Sequence, residues 1–473
     1  MTQAGNFDVV VVGGGIAGLT AANRAAQLGL RALVLEQGAG PQYLCNSRFS
    51  GGILHIAFHN IREGDAALSG IINDATSGYA QPALREAFAN SAPRAVDWLR
   101  EEGAKFIRVG QSVWQQWVLA PPRALAPGMD WKGRGPDVAL RLLADNLKKR
   151  GSAIRLDTRV TALVRGNGRC AGIDAESGGA TVRYTASRAV VIADGGFQSN
   201  LDLVRENITR RPEKLKQRGA ATGMGDGLNM ARAIGAAAVG LDCFYGHLLS
   251  RDAFANEKVW PYPQLDELAV AGILIDGAGM RAADEGRGGV YLANMVARCA
   301  DPLACCAIFD EAIWNGPGRG ARIPANPNLV KAGGTVHRAE SLASLAGMIA
   351  VPAQVLQATI DEYNAALRAG AADKLSVPRS VKPNAAHVIA TPPYYAVPVC
   401  AGITYTMGGL AIDADARVLR EDGSAIAGLY AAGAATGGLE GGPEIGYLGG
   451  LMKAATFGLR AAEHIARSGA GGA

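Results

Sequence analysis

The sequence has 473 residues, of which 49% are hydrophobic and 19% are charged, and its formal net charge is +5. This composition excludes a disordered or fibrous chain and predicts a globular protein of two domains. Because the net charge is small and no block of like charges occurs, the sequence predicts no nucleic-acid partner and no binding to a membrane surface.

The seven cysteines show neither CxxC spacing nor accompanying pairs of histidines, so no disulfide framework and no metal site is predicted. The first six residues are polar and lack an apolar signal segment, and no run of about 18 apolar residues occurs. These features predict a soluble, cytoplasmic protein without a membrane span.

The first elements follow the order strand, helix, strand. An apolar run at 8–13 predicts a strand, residues 16–28 have the apolar spacing of a helix, and a second apolar run ends at Glu36. Helices are then predicted at 82–102 and 136–150.

The middle of the chain changes character twice. Short alternating strands are predicted between residues 153 and 192, as expected for strands inserted in a doubly wound domain. After residue 246 the chain gains prolines and glycines, and it predicts a strand with a turn at 272–281 and helices at 340–345 and 352–367. We interpret this part as a separate capping domain.

The tail is similar in style to the start, with a strand predicted at 428–433, a glycine-rich loop, and a helix at 451–466. The predicted fold is therefore α/β, with a Rossmann-like domain formed by both ends of the chain and interrupted by a smaller α+β capping domain.

The loop GGGIAG carries a dinucleotide-binding pattern. Gly13, Gly15 and Gly18 are separated by one residue and by the pair Ile16 and Ala17, directly after a strand and at the start of a helix. The amide groups at the helix N-terminus suit a pyrophosphate. The alternative is a glycine-rich turn that binds no ligand. A turn of that kind does not need a strand before it and a helix after it, so the full arrangement favours a nucleotide site.

Glu36 ends the second strand, where a carboxylate accepts hydrogen bonds from the ribose hydroxyls of an adenosine. NAD and FAD both fit this half of the site. The tail favours FAD, because Gly433 ends a second glycine-rich strand and Gly450 and Leu451 begin a helix whose amides suit the flavin ring. Ordinary helix packing is the alternative for that last feature.

Seven segments of the chain carry a family resemblance. They are VVVVGGGIAGLTAA, NSRFSGG, ADGGFQSN, ATGMGDGLNMARAIGA, GILIDGAGMRAADEG, ITYTMGGLAID and GLYAAGAATGGLEGGPEIGYLGGLMKAATFG. On these motifs the chain resembles the flavoprotein family of fumarate reductase, succinate dehydrogenase and 3-ketosteroid dehydrogenase, and it is most similar to the tricarballylate dehydrogenase branch.

The resemblance implies an FAD-binding domain of residues 1–246 and 399–473 and a capping domain of residues 247–398 that closes over the substrate. Asn46 and Ser47 would lie near the reactive flavin edge, Val160 near the adenine, and Asp226 beside the cofactor. Further cofactor-binding residues implied by the matching segments are Gln37, Gly51, Gly52, Asp194 and Gly195. Non-covalent FAD is expected, because neither His55 nor His59 stands where the family attaches its cofactor.

Several residues depart from the family pattern. Tyr447 stands in GYLGG where fumarate reductases have a substrate-binding arginine, and Tyr405 precedes TMGG where they have a histidine. Arg287 is two positions short of the family's proton-donating arginine. These departures argue against fumarate reduction. Ala434 replaces an acidic residue that contacts the cofactor, so that hydrogen bond is lost or supplied by Glu440.

Dehydrogenation of a carbon–carbon bond beside a carbonyl needs a proton acceptor and the flavin. Tyr447 and Tyr405 are the leading candidates for proton transfer or substrate polarisation, with simple packing as the alternative. His247 is a candidate ligand of a carboxylate or carbonyl, or else a structural histidine. Arg287 is expected to hold an anionic substrate or to relay a proton, with Glu285 orienting it, and the alternative is an ordinary surface ion pair. Trp114 and Trp117, three apart on one predicted helix face, either line the pocket of an aromatic or alicyclic substrate or belong to the core, and no role is assigned to them.

The sequence thus predicts an FAD-dependent dehydrogenase or reductase. It acts on a carbon–carbon bond adjacent to a carbonyl or carboxylate of a small organic substrate and exchanges electrons with a quinone, a redox protein or oxygen. Two alternatives stay open at this stage, a flavin-dependent amine or alcohol oxidase and a flavin-containing electron-transfer subunit of a larger complex.

Overall fold

A computed structural model describes residues 2–124 and 126–468. The strands are β1 (Thr2–Val12), β2 (Ala32–Leu35), β3 (Phe106–Ile107), β4 (Val118–Leu119), β5 (Ala153–Arg155), β6 (Thr158–Gly166), β7 (Arg169–Ser177), β8 (Ala180–Ile192), β9 (Lys216–Gln217), β10 (Ala238–Val239), β11 (Phe244–Ser250), β12 (Ile273–Ile275), β13 (Cys306–Asp310), β14 (His337–Ala339), β15 (Tyr394–Thr406), β16 (Gly409–Leu410), β17 (Arg417–Leu419) and β18 (Ala425–Ala431). The α-helices are α1 (Ile16–Gln27), α2 (Asn46–Phe49), α3 (Asp65–Ala75), α4 (Pro82–Glu101), α5 (Gly135–Lys149), α6 (Leu201–Asn207), α7 (Asp226–Arg232), α8 (Asp266–Ala271), α9 (Gly289–Arg298), α10 (Glu311–Asn315), α11 (Ala325–Lys331), α12 (Leu342–Met348), α13 (Ala353–Arg368) and α14 (Gly450–Ser468).

The larger sheet has a parallel centre. Its strand order is β17-β18-β8-β1-β2-β5, and β6 and β7 extend it antiparallel from β8. β1 pairs in parallel with β2 and β8, and Val9, Val10 and Val11 are fully buried. A continuous apolar run is what a central parallel strand requires, because helices or other elements cover both of its faces.

The predicted strand, helix, strand start is confirmed. α1 begins directly after Gly15, which provides no side-chain cap for the first amides of the helix. It ends before Gly29, whose φ of +81° stops the helix at a backbone conformation that favours glycine.

The tail returns to the start of the chain. α14 packs against α1 so closely that a Cβ on Gly458 would lie 2.5 Å from the carbonyl oxygen of Ala17. β18 joins the same sheet as β1 by pairing in parallel with β8. The structure therefore confirms that both chain ends build one α/β unit.

A second sheet has the order β11-β15-β13-β12, with β9 and β14 also paired to β15. The expected domain boundaries fall inside two of its strands, since Gly246 lies opposite Ile403 and Ser250 lies opposite Val399. β11 and β15 thus run continuously through the positions where the two domains were expected to meet. The division into 1–246, 247–398 and 399–473 stays a prediction.

One expectation about local structure is wrong. Trp114 lies in a short 3₁₀ turn at Val113–Gln115, whereas Trp117 lies just before β4, so the two side chains do not share a helix face. In the part of the chain that the structure describes, every helix is too short or too polar to cross a lipid bilayer.

Candidate active site

A cavity of about 380 Å³ lies where the first sheet meets the second. Its wall combines the loop after β1, the chain around α2, and the N-terminus of α14 with residues of β11 and β15. Parallel strands present their carboxyl ends on the same edge of a sheet, so segments that are distant in sequence meet there.

The glycine loop after β1 is shaped for close backbone approach. Gly13 has a φ of +99°, and a Cβ there would lie 2.5 Å from the carbonyl oxygen of Ala193. A Cβ on Gly18 would lie 2.0 Å from the carbonyl oxygen of Gly13, which explains why Gly18 packs behind the loop and does not line the cavity. The first turn of α1 therefore directs its amides toward the cavity.

Glu36 holds this loop in place. One of its carboxylate oxygens accepts a hydrogen bond from the amide of Gly14 at 2.8 Å, and the other accepts one from Gly38 at 2.8 Å. Burial raises the pKa of Glu36, although these bonds oppose the effect. Each carboxylate oxygen has a second lone pair, so ribose hydroxyls still find acceptors here.

Most of the residues expected to bind the cofactor line this cavity. They are Gly13, Gly15, Ile16, Ala17, Glu36, Gln37, Asn46, Ser47, Gly51, Gly52, Val160, Asp194, Gly195, Asp226, Gly433, Gly450 and Leu451. Their placement at one cavity agrees with the sequence-based expectation, and their individual contacts with a cofactor stay predictions.

Two of these side chains, Asn46 and Ser47, form hydrogen bonds with other parts of the chain. The Asn46 amide bridges the Thr404 carbonyl oxygen at 2.8 Å and the Ala220 amide at 2.7 Å, and the Ser47 hydroxyl accepts a bond from Ile16 at 3.1 Å. Both residues therefore fix the cavity wall.

Other polar atoms at the cavity lack partners. Among the described residues, Oδ1 of Asp194 and Oε1 of Gln198 are buried without a hydrogen-bond partner. Burial raises the pKa of Asp194 to about 7. Asp226, in contrast, is paired with Arg159 at 2.9 Å. Buried unsatisfied oxygens beside a glycine-lined helix N-terminus fit a ligand that carries both phosphates and hydroxyl or amide donors, as FAD does.

Tyr405 is anchored by a buried ion pair. Its hydroxyl lies 3.1 Å from both carboxylate oxygens of Glu440, and Glu440 pairs with Lys453 at 2.6 Å. Burial and the Glu440 charge hold the pKa of Tyr405 far above its usual range. Glu440 does not line the cavity, which favours the first of the two alternatives at Ala434, the loss of that hydrogen bond.

Tyr447 lines the cavity beside a third tyrosine. Its ring stacks on Tyr245 with centroids 3.9 Å apart and an interplanar angle of 14°. Burial, together with Tyr245 and Glu440, holds the pKa of Tyr447 far above its usual range. Tyr447 is therefore a neutral phenol, suited to donate a hydrogen bond.

His247 connects Tyr245 to an acid. Its Nε2 lies 2.9 Å from the Tyr245 hydroxyl, and its Nδ1 contacts the carboxylate of Asp266. Burial lowers the pKa of His247, an effect that Asp266 opposes and Arg218 reinforces. A neutral imidazole that donates from Nδ1 to Asp266 accepts the Tyr245 proton at Nε2, which is the arrangement of a base held by a carboxylate.

Arg287 and Glu285 are not brought to the cavity wall. Arg287 pairs with Glu444, and its guanidinium carbon lies 4.2 Å from the ring centroid of Tyr291. Glu285 is fully buried, where it pairs with Arg281 and accepts a hydrogen bond from the amide of Leu274 at 3.0 Å. Both charges are thus paired away from the cavity wall, Arg287 with a tail residue and Glu285 with Arg281, and their roles at the site stay predictions.

Comparison with known proteins identifies the family. The model of the FAD binding domain family matches residues 8–446. The chain belongs to this family. It is thus a flavoprotein with an FAD-binding domain.

The relatives of this FAD-binding domain are oxidoreductases. The chain is 27% identical over 388 residues to NADH:acrylate oxidoreductase of Vibrio harveyi, covering 78% of this chain but only 35% of that protein. It is 26% identical over 482 residues to fumarate reductase (cytochrome) of Shewanella frigidimarina, covering 97% of this chain and 77% of that protein. The fold is similar to that of 3-ketosteroid delta1-dehydrogenase from Sterolibacterium denitrificans, with a TM-score of 0.75, 24% identity, and coverage of 98% and 100%.

Sequence reasoning missed part of the cavity wall of this flavoprotein. The residues missed are Tyr245, Arg123, Arg218, Tyr262 and Arg322, whereas Trp114, one of the two tryptophans considered for the pocket, lines it. Tyr245 had a detectable signal, since it lies two residues before His247 on the same strand face. The arginines had none, because they come from separate loops that only the fold brings together.

Proposed function

We propose that this flavoprotein dehydrogenates, or in the reverse direction reduces, a carbon–carbon bond adjacent to a carbonyl or carboxylate group. The observation that carries the proposal is the linked set Tyr447, Tyr245, His247 and Asp266 at the FAD cavity. It pairs a neutral hydrogen-bond donor with a proton acceptor that a carboxylate holds in place.

The names of the relatives support the same chemistry. Acrylate, fumarate and a 3-ketosteroid each contain a carbonyl or carboxyl group next to carbons that exchange two hydrogens. The expected similarity to the tricarballylate dehydrogenase branch is a finer prediction of the same kind. The departures at Tyr405 and Tyr447 argue for a substrate other than fumarate.

In the dehydrogenation direction, Tyr447 donates a hydrogen bond to the carbonyl oxygen and so acidifies the neighbouring C–H. Tyr245 takes that proton as its own hydroxyl proton passes to Nε2 of His247, where the charge of Asp266 stabilises the imidazolium. The C–H bonding electrons left on the first carbon form the new double bond. Bound FAD supplies the acceptor for the hydride that leaves the adjacent carbon.

Tyr405 belongs to the scaffold in this scheme. Its single phenol proton is donated to Glu440, so it has none left for a substrate. We propose that it holds the ring of Tyr245, which lies opposite it in the β11–β15 register at a centroid distance of 5.4 Å.

Anaerobic titration tests the reaction class. The FAD-loaded protein is mixed with propionate, succinate, cyclohexanone or a saturated 3-ketosteroid, and with amines and alcohols, while the visible flavin band is followed. We expect bleaching by at least one carbonyl or carboxyl compound and a loss of most of this rate in Tyr245→Phe. Tyr363→Phe is the matched control, because the Tyr363 hydroxyl has no hydrogen-bond partner among the described residues. Bleaching by amines or alcohols alone rejects the proposal.

A further inference from the structure

Three arginines surround one tyrosine of the cavity wall. The guanidinium carbons of Arg123 and Arg218 lie 5.4 Å and 5.3 Å from the ring centroid of Tyr262. Arg322 lines the same part of the cavity and is exposed. All four residues are wall residues of the cavity that holds the flavin-binding loop, and none stands in a family motif.

The hydrogen-bond partners of the two buried cations are neutral groups, although the charge of Asp130 acts on Arg123 from a distance. Arg123 and Arg218 are each only 8% exposed. Arg123 donates to the carbonyl oxygens of Asp130 and Phe49, both at 3.1 Å, and Arg218 donates to the Thr404 hydroxyl at 3.0 Å. Within residues 2–124 and 126–468, no carboxylate forms an ion pair with either of them.

Arg218 also has an unused donor. Its Nε is buried and has no hydrogen-bond partner among the described residues. Burial of a guanidinium without an ionic partner is unfavourable, because the charge loses its hydration and gains no opposite charge. Arg123 and Arg218 both line the cavity, so an anion bound there would compensate part of this loss of hydration.

The charges of these arginines act on the neighbouring residues. Burial opposes ionisation of Tyr262, yet Arg218, Arg123 and Arg322 together lower its pKa. The charge of Arg218 also contributes to lowering the pKa of His247. The arginine group is therefore electrostatically coupled to the proton acceptor described above.

We propose that Arg218 and Arg322, with the charge of Arg123 behind them, bind a carboxylate group of the substrate. The proposal rests on the proposed function and deepens it, because it names the substrate class as small carboxylic acids. A planar guanidinium matches a carboxylate with two parallel hydrogen bonds, which a neutral ketone does not offer. The rest of the substrate would then lie in the cavity that Tyr245 and Tyr447 also line.

Calorimetric titration of the FAD-loaded protein tests this inference. The probes are charged and neutral pairs of equal shape: propionate and propionamide, succinate and succinamide, cyclohexanecarboxylate and its carboxamide. We expect at least one acid to bind about tenfold or more tightly than its amide, which corresponds to about 1.4 kcal/mol. This preference should decrease with added salt.

The variants Arg218→Gln and Arg322→Gln should lose that preference. Arg322 is exposed, so its replacement keeps the test valid if the buried variant fails to fold. Arg319→Gln is the matched control, because Arg319 lies three residues earlier, donates to Asn315, and does not line the cavity. Equal binding of every acid and its amide, or a preference that survives in Arg322→Gln, overturns the inference. Loss of FAD affinity in place of the acid preference assigns the arginines to the cofactor and also overturns it.

The two proposals fail in different ways. If an acid binds through the arginines but no compound ever bleaches the flavin, the carboxylate site stands and the proposed reaction falls. If neutral ketones bleach the flavin as fast as acids do, the reaction stands and the carboxylate site falls.

Discussion

Individual hydroxyl groups at this site have different tasks because their surroundings differ. Tyr405 and Tyr447 both have a strongly raised pKa, but only Tyr405 spends its proton on a buried carboxylate. Tyr447 faces the cavity without an acidic partner, so its hydroxyl is the one suited to a substrate oxygen. The sequence alone does not distinguish the two tyrosines. Their roles differ because the hydroxyl of Tyr405 donates to Glu440.

Removal of the Tyr447 hydroxyl tests this assignment. Tyr447→Phe keeps the stacking on Tyr245 and should retain FAD, while turnover falls about a hundredfold, the usual scale for a lost proton-transfer or polarising group. Steady-state kinetics with the substrate found in the titration measure the effect. Turnover equal to that of the unaltered protein would remove Tyr447 from the reaction.

The arginine group predicts an unusual pH dependence for one phenol. Because the pKa of Tyr262 is lowered, its phenolate should appear at a pH below the usual value of about 10 for tyrosine. The ultraviolet difference spectrum between the protein and Tyr262→Phe follows this titration. In Arg218→Gln the titration should move to higher pH, and an unmoved curve would contradict the electrostatic coupling.

Glu36 is predicted to control cofactor retention. Glu36→Gln replaces an acceptor by a donor toward one of the two amides at 2.8 Å and removes the charge that faces the ribose. We expect the dissociation constant of FAD to rise about tenfold or more, in line with the loss of a charge-assisted hydrogen bond. Fluorescence of released FAD measures it, with the exposed Glu206→Gln as control. Equal retention in both variants would contradict this role.

At the scale of elements, strand pairing and one helix assemble the catalytic group. The β11–β15 register sets Tyr245 opposite Tyr405, and α14 delivers Lys453 to Glu440 from the other side. Both charged side chains are at most 1% exposed. The pair therefore joins the tail helix to the loop before it, and the Tyr405–Glu440 hydrogen bond links that loop to β15.

Breaking this pair should destabilise the fold. Lys453→Met leaves Glu440 buried without its cation, and we expect the free energy of unfolding to fall by about 3 kcal/mol or more. The double variant Lys453→Met with Glu440→Gln should recover part of that loss, since no isolated charge remains. Denaturant unfolding of the unaltered protein, Lys453→Met, Glu440→Gln and the double variant measures the coupling. Losses of the two single variants that add up in the double variant would contradict a direct pair.

Element-scale features were the most predictable from sequence. The β1–α1 loop follows from residues adjacent in the chain, and the glycine spacing fixes both its shape and its ligand class. Tyr245, Arg218 and Tyr262 could not be assigned in this way, because their meeting depends on long-range pairing of β11 and β15 and on loops between them. The position of Arg287 outside the cavity wall could not be foreseen either, since its partner Glu444 lies 157 residues away, and its role at the site stays a prediction.

At the scale of the whole molecule, both chain ends build the larger sheet, and the intervening segment contributes His247, Tyr262 and Arg322 to the cavity wall. Whether FAD is bound covalently depends on which histidine this arrangement brings to the cavity. His59 is exposed beside Glu63, at 3.5 Å, whereas His55 lines the cavity with a pKa that burial lowers to about 4.

We predict non-covalent FAD in spite of the position of His55. Acid precipitation of the purified protein should leave all yellow colour in the supernatant, because no bond joins flavin and chain. Colour that stays with the precipitate, and disappears from it in His55→Ala, would show a covalent link and contradict the prediction.

The central claim is that a carbon–carbon bond beside a carbonyl or carboxyl group is oxidised at this cavity, with Tyr245 and His247 taking the proton. The most direct measurement is single-turnover anaerobic bleaching of the flavin by carbonyl and carboxyl compounds, compared between the unaltered protein and His247→Gln. We predict bleaching by at least one such compound and a rate that falls about a hundredfold in the variant, as for the loss of a general base. A flavin that no carbonyl or carboxyl compound bleaches, or that bleaches equally fast in both proteins, would contradict the account.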